Sequence, residues 1–556
     1  MGLGIVSGKS RVIPALIVLL VWVTMIGCDG SFGTGGSGEW AVPKQTFREI
    51  GATEMSQLAT RPTTVPTTQS ISPPTTRNAQ TPPPEIHITL DEVRQTTLQN
   101  NLDLQVELLN PTIAKQAISE AQAQFESVFT SSASYSVLDP ATVNHAKGAQ
   151  SDSVQTNAGV RVPLRTGGTL NFDAPLSRTD VDDQFATPNP AYTSGVGGSI
   201  SHPVLRGFGT DANAYAIRVA FYQYQQSEAR TKLEVIRLLA ETERVYWRLY
   251  AARRALEVRK QEYDLAVRQL ERAERQVRAQ VAAEVEVVRA QSGVADSLEG
   301  VINAENLLRD REREIKRILN RPGLEMDSPT IIIPDSQPNA EYYKLDPQQT
   351  VQLALRQRME LLETELQIAQ EAANIAFSRN AMLPLVLLDY SYKVNGLGDS
   401  WSEAFRTTRD KDFEDHRLGL RLELPIGNEA ARSRLRRALA SRWQQLATKA
   451  VREATIEEEV LSAVDQLEVN YQRILAGRSR VVYAGRTLDA EIRQFNQGLR
   501  TSTDVLDAQT RLANAQLSEI SALTEYQIAQ IDIAFATGTV LGSSRVIWQP
   551  TAAPKP

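Results

Sequence analysis

The sequence predicts a mainly α-helical protein that also builds a membrane β-barrel, and three observations carry that expectation. Two stretches of ~68 residues, about 211–278 and 430–497, run nearly free of proline, which at ~1.5 Å per residue makes rods of ~100 Å. Short stretches elsewhere alternate apolar and polar side chains with a period of two. The chain also repeats itself, so rods and strand pairs each occur twice.

The 556 residues carry a net charge of −6, which gives no basic field for nucleic acid. Charged residues make up 23%, too many for a helical membrane bundle, where each span needs about 20 mainly apolar residues. The single apolar run of that kind is N-terminal and reads as a signal peptide over 1–27: Lys9 and Arg11 precede the apolar Val12–Val23. It ends in Met25-Ile26-Gly27-Cys28, which resembles a bacterial lipobox with Met25 in place of the usual Leu. Cys28 is the only cysteine, so no disulfide can form within the chain, and lipidation of Cys28 is expected. Asp29 resembles the inner-membrane retention signal of enteric bacteria, which leaves sorting open. LGIVSGKS (3–10) lacks the first glycine of a phosphate loop and lies in the leader.

Residues 28–87 are rich in Thr, Pro, Ser, Gly and Gln and cannot bury enough apolar surface to order themselves; they read as a tether. A first repeat is expected over 88–325 and a second over 348–542, with a linker at 326–347 and a tail at 543–556. TLDEVRQTTLQNNLDL (89–104) matches DPQQTVQLALRQRMEL (346–361), each opening a helix. Strands are expected at 128–138 and 194–205, then at 385–395 and 417–425. Long helices follow at 211–279 and 430–497, with return helices at 284–319 and 503–536. Two half-length helices stacked end to end match one rod, as a tall wall of helices requires; a plain coiled coil fits the helices almost as well.

The strands separate those readings. In RLGLRLELP (417–425), Leu418, Leu420, Leu422 and Leu424 share one face, with Arg417, Arg421 and Glu423 opposite. In VLLDYSYKV (386–394), Val386, Leu388, Tyr390, Tyr392 and Val394 oppose Leu387, Asp389, Ser391 and Lys393. Strands of ~9–11 residues, apolar outward and polar inward, are the pattern of a transmembrane barrel, although a half-buried soluble sheet alternates likewise. Four strands cannot enclose a pore, so copies of the chain must share the barrel.

The order helix, strand pair, long helix, turn, return helix, taken twice, resembles the TolC family of outer-membrane efflux proteins over about 88–542. The most specific stretch is QFNQGLRTSTDVLDAQTRLANAQLSEISALTEYQIAQIDIAFATGTVL (494–541); SHPVLRGFG (201–209) and LELPIGNEAARSRLRRA (422–438) match the strand-to-helix junctions. The resemblance implies a homotrimer with a shared twelve-stranded barrel in outer-membrane lipid above a trimeric α-barrel. It further implies a periplasmic adaptor (membrane fusion protein) and an inner-membrane RND or ABC pump as partners. Two alternating stretches, Thr156–Pro163 and Thr169–Arg178, depart from the pattern: a longer extracellular hairpin is favoured, and extra barrel strands are the alternative.

At the tunnel end the resemblance places a pore constriction at Asp504 and Asp507, which lie three residues apart on one helical face. Carboxylates crowded in a narrow lumen repel, favour cations and raise some pKa values. It also implies a gate latch between Arg500 and Glu286, with Phe495 where the family has tyrosine, and an adaptor-docking tip at Gly498, Leu499 and Thr501. In the first repeat Gln280 stands at the glycine position. The four histidines, His87, His145, His202 and His416, have no ligand spacing, and no catalytic triad or complete phosphate loop is present. No enzyme activity, cofactor, metal or nucleic-acid partner is expected. The export duct is the leading reading; a structural coiled-coil lipoprotein without a pore is the alternative.

Overall fold

The computed structural model describes residues 84–139, 150–183 and 186–547. The leader, Cys28 and nearly all of the tether lie outside the described residues.

The first repeat opens with β1 (Glu85–Ile88), α1 (Leu90–Asn100), α2 (Leu102–Glu107) and α3 (Leu109–Ala123). Four strands follow: β2 (Val128–Leu138), β3 (Ser151–Pro163), β4 (Thr169–Val181) and β5 (Ala191–Pro203). Then come α4 (Thr210–Asn213), the rod α5 (Tyr215–Arg278) and the return helix α6 (Val285–Leu319). After β6 (Ile331–Pro334), the second repeat has α7 (Pro347–Gln357), α8 (Met359–Ala381), β7 (Leu385–Gly398), α9 (Trp401–Asp410) and β8 (Phe413–Glu423). It closes with the rod α10 (Glu429–Asn496), the return helix α11 (Ser502–Ala536) and α12 (Val540–Ser543).

Each repeat breaks its opening helix at the same point. Asn101 ends α1 at φ −65°, ψ 125°, and Arg358 ends α7 at φ −68°, ψ 126°. The two side chains then do the same work. Asn101 donates to the Ile318 carbonyl at 3.0 Å, near the end of α6; Arg358 donates to the Ala536 carbonyl at 3.3 Å, the last residue of α11. Those carbonyls have no partner inside their own helices, so each break closes the return helix of its own repeat. Thr89 and Glu92 cap α1 reciprocally, and Asp346 caps α7.

The rods carry their partners end to end: α10 packs on α7 and α8 over one part of its length and on α11 over another, and α5 packs on α3, α1 and α6. At the packed centre Tyr246 of α5 is fully buried among Val93, Leu319, Ile332 and Ile531. Its hydroxyl donates to the Ile88 carbonyl at 3.2 Å and accepts from the Ser336 amide at 2.9 Å. That joins α5 to the parallel pair β1–β6, a pairing that falls in segments the sequence assigned to tether and linker.

The other sheet has six strands in the order β2-β3-β4-β5-β7-β8, every neighbouring pair antiparallel. Two expectations change here. Thr156–Pro163 and Thr169–Arg178 are parts of β3 and β4, which pair from Ser151↔Val181 to Pro163↔Thr169 and with β2 and β5 on either side. Their connecting turn lies at the end of the sheet where the helices attach, so they are not an extracellular hairpin. The Gly209 amide donates to the Thr166 carbonyl at 3.0 Å, and the Arg165 guanidinium lies 5.9 Å from the Phe125 ring centre. Gly167 has φ +100°, and a Cβ there would overlap the Gly207 carbonyl, so no other residue lets the turn dock. Twelve strands in a trimer require four per chain, and this chain has six in one sheet.

The pairing register puts Phe129, Tyr135, Val160, Phe172, Val196 and Ile200 on the same face as Leu388, Tyr390, Leu418, Leu420 and Leu422, and all of these are exposed. The opposite face carries Ser134, Gln155, Asn157, Asp173, Thr193 and Lys393 around a cavity of about 690 Å³. Helix α9 lies on the apolar face, with Ala404 against Gly396 and Gly398, and its exposed Trp401 and Phe405 rings are 6.1 Å apart. Exposed aromatics at the rim of an apolar band fit a membrane–water interface.

Replacing Tyr246 by Phe leaves the Ser336 amide and the Ile88 carbonyl without that partner; a loss of about 1–3 kcal/mol is expected, read as a lower denaturation midpoint in detergent.

Candidate functional site: the helix-hairpin tips

The two rods turn back at 279–284 and 497–501, and both turns use one backbone motif. In the second, the Gly498 amide donates to Phe495 and the Leu499 amide to Gln494, with Gly498 at φ +75°. In the first, the Gln280 amide donates to Val277 and the Val281 amide to Gln276, with Gln280 at φ +59°. This is a Schellman termination, which needs a left-handed residue after the helix; Gln280 adopts that conformation although it has a side chain. The residue after it is apolar and exposed in both tips: Val281 at 72% and Leu499 at 70%. Val281 carries no sequence signal of its own, and only alignment of the two tips reveals it.

The second tip is locked more firmly. Thr501 caps α11, its hydroxyl accepting from the Asp504 amide, while Asp504 Oδ2 accepts from the Thr501 amide at 2.9 Å and its hydroxyl at 2.8 Å. These bonds, then the charges of Arg500 and Arg289, hold the Asp504 carboxyl below the usual aspartate range. The repulsion expected between carboxylates works in the other direction and needs neighbouring copies; within one chain the capping bonds dominate. Asp507 lies one turn further on and is exposed.

Glu286 reaches across from α6. Its Oε2 accepts from the Ser502 amide at 2.7 Å, and its Oε1 accepts from Arg289 at 2.6 Å. A carboxylate on the first turn of α11 meets unpaired amides and the positive end of the helix dipole. Arg500 turns the other way, donating to Gln494 Oε1 at 3.0 Å with Glu491 at 3.3 Å. The Arg500–Glu286 contact expected from the sequence is therefore not made: Glu286 joins the tips through backbone. Phe495 is 2% exposed and packs with Leu488, Val505 and Ala508, so it pins α10 to α11 from within.

Among the described residues no group of three or more His, Cys, Asp or Glu side chains could hold a metal ion. Of the histidines, His87 pairs with Asp335 at 2.8 Å, His202 and His416 lie in β5 and β8, and His145 lies outside the described residues. No helix among the described residues is long and apolar enough to cross a membrane.

Residues 350–539, which hold most of the second repeat and its tip, match the family model for outer membrane efflux proteins. Outer membrane protein TolC of Salmonella enteritidis is 23% identical over 349 residues, which cover 60% of this chain and 66% of that protein. The chain is similar to the TolC family of outer membrane efflux proteins. Its fold is the TolC-like one: a CusC structure superposes with a TM-score of 0.60 at 15% identity, covering 81% of this chain and 92% of that one. VceC from Vibrio cholerae superposes with a TM-score of 0.60 at 14% identity, covering 81% and 96%. Like its TolC-family relatives, it is an outer-membrane protein.

Two outcomes test the tip. Replacing Thr501 by Ala removes a cap worth about 0.5–2 kcal/mol and lets the Asp504 pKa rise, seen as faster amide exchange in the first turn of α11. Because folding depresses the Asp504 pKa, its contribution is full above the ordinary value of 3.8 and is lost as pH falls through the lower folded value; fraying of that turn should begin below about pH 3.8. Replacing Glu286 by Ala should speed exchange at the Ser502 amide, whereas replacing Arg500 by Ala should leave that amide unchanged.

Proposed function

We propose that the chain forms a passive homotrimeric duct through the outer membrane. It would receive small molecules, metal ions or proteins from a periplasmic adaptor and an inner-membrane RND or ABC pump. One observation carries this reading: a sheet with an exposed apolar face and a polar concave face, whose long helices attach at a single end. Such a sheet suits lipid on one side and water on the other. The helical rods then extend the passage away from the membrane.

The tips supply the gate and the docking surface. Asp504 and Asp507, three residues apart, would ring the lumen in three copies and favour cations. Glu286 is the latch, held on the Ser502 amide, with Phe495 as its apolar pin. Gly498, Leu499 and Thr501 form the adaptor-docking tip, joined by Val281 of the first repeat. The duct has no energy-coupling role and no enzyme activity in this reading, so its partners supply the drive. Cys28 would add a lipid anchor to the barrel's own insertion.

Detergent-purified protein should run as SDS-resistant trimers and conduct ions in planar bilayers; a monomeric rod without conductance would leave only a structural coiled-coil lipoprotein. In conducting trimers, replacing Asp504 and Asp507 by Ala should abolish block by multivalent cations, and persistent block would remove both from the constriction.

A further inference from the structure

We propose that each chain contributes six strands to the barrel wall, so that three copies close an eighteen-stranded barrel in which β2 of one copy pairs with β8 of the next. The proposal rests on the trimeric duct reading and deepens it by assigning the width of the outer-membrane passage.

Four observations place β3 and β4 in the wall. They span the same height as their neighbours, because their turn is docked at the helical end through Thr166, Gly167 and Arg165. They keep the wall's alternation: Val154, Val160, Leu170 and Phe172 share the apolar face, while Gln155, Asn157, Arg161 and Asp173 share the polar one. They are tied across β5 to the second repeat, for Asp173 of β4 lies 3.5 Å from Lys393 of β7. Gly197 of β5 makes that pairing possible, since a Cβ there would stand 3.0 Å from Lys393 and 3.1 Å from Asp173. Finally, the polar cavity is lined by β2, β3, β4, β5 and β7 together, so the sheet curves across the added strands as one surface.

The partner for the free edges is a second copy. β2 and β8 each have 11 residues, and six strands alternating in direction leave them pointing opposite ways. Joined edge to edge they continue the antiparallel order without a break, and they remove the unpaired backbone that hydrocarbon does not tolerate. At equal tilt a barrel widens roughly in proportion to its strand number, so eighteen strands make a passage about half again as wide as twelve. Barrels of about 16–18 strands leave an open aqueous channel. The added strands bring no rod with them, so the wall widens while the helical passage does not. Size selection then rests with the tips rather than with the barrel.

A particle image of the detergent-purified assembly, sectioned through the barrel, should count eighteen strands. A second measurement reads the pairing itself. Ser134→Cys with Gln155→Cys places two thiols at register partners on the polar faces of β2 and β3, and oxidation of assembled trimers should give a disulfide within each chain. A trimeric barrel of twelve strands, with residues 150–182 outside the wall and no such disulfide, would overturn this proposal and leave the duct standing. Material that never assembles into a barrel would remove both.

Discussion

A peptide group without a hydrogen-bond partner in hydrocarbon costs several kcal/mol, and in the proposed duct that cost would fall on two strands. β2 and β8 bound a sheet whose apolar face is exposed along its length, so in the proposed duct both edges would lie where water cannot satisfy them. In the duct proposed above, closure of the sheet through further copies of itself answers that constraint. Much else in the molecule follows from it. The long helices leave from one end of the sheet, and only the short α9 connects strands at the other. The strands must keep strict alternation, since a slip of one residue would turn Leu418, Leu420 and Leu422 onto the polar face.

The helical part answers a different constraint. Rods of 64 and 68 residues need partners over their whole length, and the half-length helices supply them in series. The junctions between those pieces are built alike in both repeats. Asn101 and Arg358 share backbone angles within a few degrees, and each side chain satisfies a carbonyl at the end of its return helix. An amide and a guanidinium thus perform one task, which explains how two repeats of such different sequence keep the same geometry. The tips show where the repeats diverge. Both end in the same left-handed turn, yet α11 has the reciprocal cap of Thr501 and Asp504 and the grip of Glu286, while α6 begins at Glu284 without a side-chain cap.

The amino-acid sequence by itself determined the helical rods, the repeat and the apolar-outward strands, because each is written in local periodicity. A proline-free run of 68 residues or a Leu-x-Leu-x-Leu strand states its own conformation and face. It also marked the tip residues, through the resemblance carried by 494–541. What the tertiary structure alone decided were matters of which group meets which. The turn of β3 and β4 docks beside Phe125 and Gly207, contacts that connect residues far apart in the chain, and these make an apparent surface hairpin part of the six-stranded sheet. Glu286 selects the Ser502 amide over Arg500 because the first turn of α11 presents unpaired donors at 2.7 Å while Arg500 is already held by Gln494 and Glu491. Backbone donors have no letter in the sequence, and long-range pairing has no period; both become visible only once the chain is folded.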